Sequence, residues 1–195
     1  SHFHKEHSIS KKQTYSFISS MLKKISINKD ISIAHTIPSY YYLDDNYYIL
    51  SINKIFKNSW QIIIDKSSLN SNIYPFTFLK DSVNEPLLLT HANNKYFCLS
   101  NVCTHRGNLL CENNNNSNSI RCKYHGRVFN LEGNFLSTPG FENVKNFPQD
   151  SDNLNKLELK IWKNFIFNSL NPKIDISDVL DDISHRLGWY PFNKL

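Results

Sequence analysis

Apolar residues in this chain follow two periodicities, and the places where one gives way to the other divide it into three. Over 13–27, Ile18, Met21, Leu22 and Ile25 recur at helical spacing and predict an amphipathic helix. Pro38 then interrupts the chain. Asp44 or Asp45 is placed to cap a second helix that carries Ile49, Ile52 and Phe56 on one face. From Trp60 the pattern changes to short runs rich in β-branched and aromatic residues. These predict strands over 60–65, 73–80, 87–91, 96–100, 119–122, 128–131, 157–162 and 165–168, with turns at Asn93-Asn94 and Glu132-Gly133-Asn134. The polar stretch 113–118 reads as an exposed loop tip without chemistry. After Pro172 helical spacing returns in Val179, Leu180, Ile183 and Leu187, with Ser177 as the N-cap and Gly188 at the C-terminal end. The expected fold is mainly β, an antiparallel β sandwich or small barrel with flanking helices at both ends. Its expected parts are a helical extension over 1–58, a β domain over 59–170, and a linker and helix over 171–195.

Composition narrows the function classes more than the fold. A chain of 195 residues buries one good core, and 40% hydrophobic residues with 13 Phe, 10 Tyr and 3 Trp place it among globular proteins. The net charge of +5 is spread thinly, and Lys11-Lys12 and Lys23-Lys24 read as solvated helix faces. No basic stripe with interleaved aromatics is present, so no nucleic-acid partner is expected. No run of 18 apolar residues occurs, so no membrane span is expected. The first apolar stretch is broken by lysines and serines, which argues against a signal peptide, and a cytoplasmic location is expected.

The chemistry lies in the β region. Cys103-Thr104-His105 and Cys122-Lys123-Tyr124-His125 are separated by sixteen residues, and each offers one thiolate and one imidazole. Two sulfur and two nitrogen donors suit a 2Fe–2S cluster of the Rieske type, two Cys on one iron and two His on the other. Gly107 and Gly126 let each segment turn tightly and bring backbone N–H groups near the cluster sulfurs. The same four donors would also satisfy a closed tetrahedral zinc ion. Zinc sites, however, usually place two Cys in one pair and two His in the other, whereas both pairs here are mixed. The two remaining cysteines, Cys98 in a Tyr-Phe-Cys-Leu strand and Cys111 after Leu109-Leu110, read as buried thiols. His2, His4 and His7 near the start are expected to be incidental, and His35 and His91 structural.

Around those donors the sequence resembles the N-terminal half of the large (α) subunit of Rieske non-haem iron ring-hydroxylating oxygenases. The resemblance rests on Asn101-Val102-Cys103-Thr104-His105-Arg106-Gly107 and Cys122-Lys123-Tyr124-His125-Gly126. It extends through Ile37-Pro38-Ser39-Tyr40-Tyr41, Ile55-Phe56-Lys57-Asn58-Ser59-Trp60, Leu131-Glu132-Gly133 and Trp162-Lys163-Asn164-Phe165-Ile166-Phe167, and so covers roughly 36–190. Within the family the chain is most similar to the choline-monooxygenase-like branch. One departure stands out: many members carry Trp after His-Gly, and this chain has Arg127.

The respiratory Rieske proteins fit less well. They resemble one another in a disulfide between the two ligand loops, and Asn108 and Tyr124 occupy the matching positions here. They also carry Ser and Tyr hydroxyls after the second His-Gly, where this chain has Arg127 and Phe129. Without those donors the reduced cluster is disfavoured, so the expected potential lies toward the low end of the Rieske range, about −150 mV.

The resemblance implies one 2Fe–2S cluster per chain held by Cys103, His105, Cys122 and His125. It implies single-electron transfer from a reductase or ferredoxin to a mononuclear iron that activates dioxygen. It also implies a homo-oligomer, a trimer in this family, for a full-length protein. The mononuclear Fe(II), with its two-His-one-carboxylate ligands, is expected in a C-terminal domain beyond these residues. Asp182-Ile-Ser-His185, with Asp178 upstream, has the look of part of that triad, but Leu187, Gly188, Trp189 and Tyr190 stand where a second His should follow. His185 is therefore expected to be a surface residue, and no catalytic residue is expected in this chain. A stand-alone Rieske ferredoxin and, further off, a structural zinc module remain as alternatives.

Overall fold

The computed structural model describes residue 20 and residues 25–192. The helix expected over 13–27 lies almost wholly outside the described residues, as do His2, His4 and His7. The chain forms two compact units, Ser1–Phe56 and Lys57–Leu195.

In the first unit, α1 (Tyr40–Leu43) runs into α2 (Asp45–Lys54). Asp44 caps α2, its carboxylate accepting from the Asn46 N–H at 2.8 Å. The face that α2 buries agrees with the expected one only at Ile52. Tyr47 and Ile52 are buried, whereas Ile49 is partly exposed and Phe56 lies beyond the helix in a 3-10 turn. Tyr47 takes the buried place because its ring packs against Tyr40 and Tyr41, at centroid distances of 5.4 and 4.2 Å.

The second unit is built on nine strands: β1 (Gln61–Asp65), β2 (Ile73–Phe78), β3 (Glu85–Ala92), β4 (Lys95–Ser100), β5 (Ile120–Arg121), β6 (Val128–Phe129), β7 (Phe135–Ser137), β8 (Lys156–Trp162) and β9 (Phe165–Ser169). Six form an antiparallel sheet in the order β1-β9-β8-β4-β3-β2, and β5-β6-β7 form a small sheet of their own. This is the antiparallel β architecture expected. The three-residue β7 is the one strand the sequence pattern does not announce, being too short for an alternation to register. The expected strands over 119–122 and 128–131 shrink to two residues each: Cys122 turns into its ligand loop, and Asn130 opens a turn closed by its hydrogen bonds with Glu132, Gly133 and Asn134.

Alternation along β3 and β4 separates two cores. Leu88 and Leu99 face a cluster with Ile73, Ile120, Phe129, Leu131, Leu154 and both candidate cysteines, Cys103 and Cys122. Leu87 and Cys98 face the opposite side, with Phe78. Cys98 is therefore a core residue on the far face of the sheet, and burial pushes its thiol up to about 12. Cys111 is half-buried, and all four cysteines are free. The 113–118 stretch is exposed, but it is pinned to the start of β2. Ile73 and Asn115 exchange backbone hydrogen bonds at 3.1 Å, and Asn72 bonds Ser117 from both ends of its amide.

The C-terminal helix α3 (Ser177–Leu187) lies against the β1-β9-β8 side, with Ile176 and Leu180 packed against Phe167, Trp60, Trp162 and Phe165. Trp162 donates to the Ser184 hydroxyl at 2.7 Å and Trp60 to the Ile174 carbonyl at 3.0 Å. Ser177 is not the cap expected of it. It is the first helical residue, and Asp175 accepts both its N–H and its hydroxyl. Gly188 closes the helix in a right-handed conformation, with φ −61°.

Candidate metal centre

The four candidate donors sit at the ends of two loops built on one plan. In the first, the Cys103 N–H donates to the Asn108 carbonyl at 2.8 Å and the Gly107 N–H to the Cys103 carbonyl at 3.0 Å. In the second, Cys122 donates to Arg127 at 2.8 Å and Gly126 to Cys122 at 3.0 Å. Each loop is closed one residue outside this frame by an antiparallel pair, Val102 with Leu109 and Arg121 with Val128. Gly107 and Gly126 have φ of 70° and 76°, a left-handed turn that a Cβ would strain. The two loops thus share one hydrogen-bond frame at matching positions.

That frame fixes the sulfurs in the core. Cys103 and Cys122 are 3% and 2% exposed, within the same apolar cluster. The two thiols are hydrogen-bonded neighbours. Burial raises the Cys103 thiol, opposed by the His105 N–H and the positive charge of Arg127. Burial opposes ionisation of Cys122 as well. There the N–H groups of Tyr124 and His125, together with Cys103 and the Asn108 amide, outweigh it and bring the thiol below its ordinary value.

The imidazoles make the second pair. Their ring centroids are 4.8 Å apart at 62°. His105 is half-buried, with Phe141 edge-on at 5.9 Å, and its Nδ1 is buried without a hydrogen-bond partner. Burial lowers its pKa, helped by the positive charge of Arg127, by His125 and by Arg106. His125 is exposed beneath Tyr124, whose ring lies 3.8 Å away and is itself 60% exposed.

This arrangement fits a 2Fe–2S cluster. Two thiols side by side, two imidazoles side by side and an unpartnered ring nitrogen offer donors in like pairs, as an iron–sulfur unit with two protein ligands per iron requires. A closed zinc site needs three or four donors around one ion. Among the described residues no three His, Cys, Asp or Glu side chains are grouped to hold one ion.

Other sequence candidates fall elsewhere. His91 stacks on Tyr96, its cross-strand neighbour, at 4.3 Å. Asp182 pairs with Arg186 at 3.0 Å on α3, and His185 is exposed there.

Residues 59–148 match the family described as the Rieske [2Fe-2S] domain. The chain carries a Rieske domain. Among curated relatives, the carnitine monooxygenase oxygenase subunit of Escherichia coli (strain K12) is 32% identical over 142 residues, 71% of this chain and 37% of that protein. The chloroplastic choline monooxygenase of Arabidopsis thaliana is 24% identical over 149 residues, 76% of this chain and 35% of that protein. The chain thus spans little more than a third of these relatives. Among solved structures, the quaternary ammonium Rieske monooxygenase CntA in complex with L-carnitine superposes with a TM-score of 0.75 at 22% identity, over 86% of this chain and 49% of that one. Naphthalene 1,2-dioxygenase from Rhodococcus sp. gives 0.69 at 22% identity, over 91% and 40%. The fold is that of the Rieske oxygenases, and the resemblance read from the ligand boxes is borne out.

The Rieske domain also holds residues whose part the sequence did not disclose. Arg127 is 3% exposed, and its guanidinium reaches the Thr104 hydroxyl at 2.9 Å, the Asp152 carboxylate at 3.0 Å and the Thr138 hydroxyl at 3.2 Å. Asn108 reaches the Cys122 sulfur from the opposite loop. Asn108 and Arg127 each stand five residues after their cysteine, a matching spacing that was visible in the sequence as a signal. Among the described residues no helix is long and apolar enough to cross a membrane.

Proposed function

We propose that this chain is the electron-transfer part of a Rieske oxygenase, with Cys103 and Cys122 as ligands of one iron of a 2Fe–2S cluster and His105 and His125 as ligands of the other. The observation that carries the reading is the pair of matched loops, which present two buried thiols together and two imidazoles together. When bound, such a cluster accepts and releases one electron at a time. The chain's own residues do the rest. The backbone N–H groups of His105, Tyr124 and His125 point at the sulfurs and favour their thiolates. The apolar cluster around Cys103 and Cys122 excludes water. His125 and Tyr124, exposed at the surface, form the side from which an electron is exchanged with a partner.

The likeness to carnitine and choline monooxygenase subunits supports a quaternary-ammonium or related oxidation as the activity of the whole protein. The mononuclear iron of that activity would be held in a C-terminal domain, to which residues 171–195 lead. A reductase or ferredoxin would supply the electrons, and a trimeric assembly would bring cluster and mononuclear iron together. A quaternary ammonium Rieske monooxygenase among the structural neighbours is described in terms of inter-subunit electron transfer, which supports that last reading.

Metal and sulfide analysis of the purified chain, with electron paramagnetic resonance of the reduced form, tests the ligand set. Two irons and two acid-labile sulfides per chain with a Rieske signal are expected. One zinc without sulfide would overturn it.

A further inference from the structure

Arg127 occupies the position after His-Gly where a tryptophan is usual, and its side chain is occupied entirely inside the protein. Its backbone carbonyl accepts from Cys122, while its Nη1 donates to the Thr104 hydroxyl between Cys103 and His105. Thr104 in turn donates to the Asp152 carbonyl at 2.8 Å, and the Asp152 carboxylate takes Nη1 on one oxygen and the Gln149 N–H on the other. The guanidinium also lies over the rings of Phe135 and Phe147, at 5.3 and 5.6 Å, which shield it from water. One residue of the second ligand loop therefore grips the middle of the first. No disulfide joins these loops, since Asn108 and Tyr124 carry no thiol.

We propose that Arg127 is a positioning residue that locks the two ligand loops through Thr104 and Asp152, and that its buried charge raises the midpoint potential of the centre they hold. This rests on the reading that Cys103, His105, Cys122 and His125 hold the cluster. The sign follows from charge. One-electron reduction adds a negative charge at the site, and a fixed positive charge in a poorly screened position favours that state. The Arg127 Nη1 is held at the Thr104 hydroxyl, between Cys103 and His105, so the charge sits beside the donors of the first loop while its backbone belongs to the second. Asp152 is more exposed, at 19% against 3%, and so screens the guanidinium only in part. Arg127 thus offsets part of the fall in potential caused by the missing hydroxyl donors.

The test is a redox titration of the full 195-residue chain with its cluster, followed by electron paramagnetic resonance, in wild type, Arg127→Gln, Arg127→Lys and Asp152→Asn. Arg127→Gln is expected to lower the one-electron equilibrium constant by up to about tenfold, about 59 mV. Asp152→Asn, which frees the charge, is expected to raise the potential, and Arg127→Lys to keep most of the wild-type value. A residue acting only as a brace would move both neutralising variants the same way, or neither. That result, with the Rieske signal intact, overturns the inference. Should Arg127→Gln fail to fold, Asp152→Asn against Arg127→Lys decides: no rise in the first, or a large fall in the second, overturns it. Absence of a Rieske signal in the wild type would instead bring down the ligand assignment.

Discussion

The two ligand loops have one backbone and two characters. Both tie the cysteine N–H to the carbonyl five residues on, and both turn on a left-handed glycine four residues on. Both place an apolar residue seven positions after the cysteine, Leu110 and Phe129, in the same core. The loops part at the histidine, which follows Cys103 by two residues and Cys122 by three. On a shared frame, that one-residue offset sends His105 under Phe141 and leaves His125 at the surface under Tyr124. One loop insulates and the other presents. The cross-loop contacts repeat the pattern, because Asn108 and Arg127 hold equivalent positions and each reaches the opposite loop. A duplicated frame fixes where the sulfurs are, and the side chains hung on it decide what each half does.

If the loops are equivalent as sulfur holders, losing either cysteine should be equally damaging, and this is the largest effect to expect. Cys103→Ser and Cys122→Ser should each reduce bound iron from two per chain to a small fraction and abolish the reduced-state resonance. Iron analysis and spectroscopy of the two variants side by side check this. Retention of a normal cluster by either variant would break the symmetry at its root, and with it the assignment of that cysteine.

The glycines give the next comparison. An alanine at either position must adopt a left-handed conformation, at a cost of about 1–2 kcal/mol. At Gly107 a new Cβ meets nothing within 4 Å, whereas at Gly126 it comes within 3.2 Å of Pro139 Cγ. Gly126→Ala should therefore destabilise more than Gly107→Ala, by about 1 kcal/mol or more as overpacking is added to backbone strain. Urea unfolding of the cluster-free chain measures both. Equal midpoints would mean that Pro139 yields freely and that the second loop is no more tightly seated than the first.

How far the sequence foretold these features depends on the range over which each is encoded. The two loops that carry Cys103, His105, Cys122 and His125 were legible because the donor types and glycines of each lie within five residues. The strands over 73–80, 87–91 and 96–100 were legible because alternation repeats along them, and the structure extends or trims each by a residue or two. The buried face of α2 was legible only at Ile52, because Tyr47 is selected by rings on α1 rather than by helical spacing. Nor was the start of α3, where Asp175 rather than Ser177 receives the hydrogen bonds. Arg127 is the instructive miss. Its neighbours in sequence say only that it follows His-Gly, and its partners Thr104 and Asp152 lie 23 and 25 residues away in opposite directions. A contact assembled by the fold from three separate segments leaves no local pattern to read.

The smallest effect probes the insulated half of the comparison through protons. In the cluster-free chain the His105 ring should titrate below 6.5, chiefly because it is buried and secondarily because Arg127, His125 and Arg106 oppose a further positive charge. The folded chain then resists a proton that the unfolded chain accepts. Between 6.5 and the lower folded value the unfolded state binds more protons, so this contribution to stability is full above 6.5 and falls as the pH drops. Subtracting the unfolding profile of a His105→Asn chain isolates it from the carboxylates, and ring resonances followed against pH give the titration directly. Because burial is the larger cause, Arg127→Gln should restore only part of the shift. A ring that titrates at or above 6.5 would show that His105 is as open to water as His125, and the division of labour between the loops would then lie in their cross-loop contacts alone.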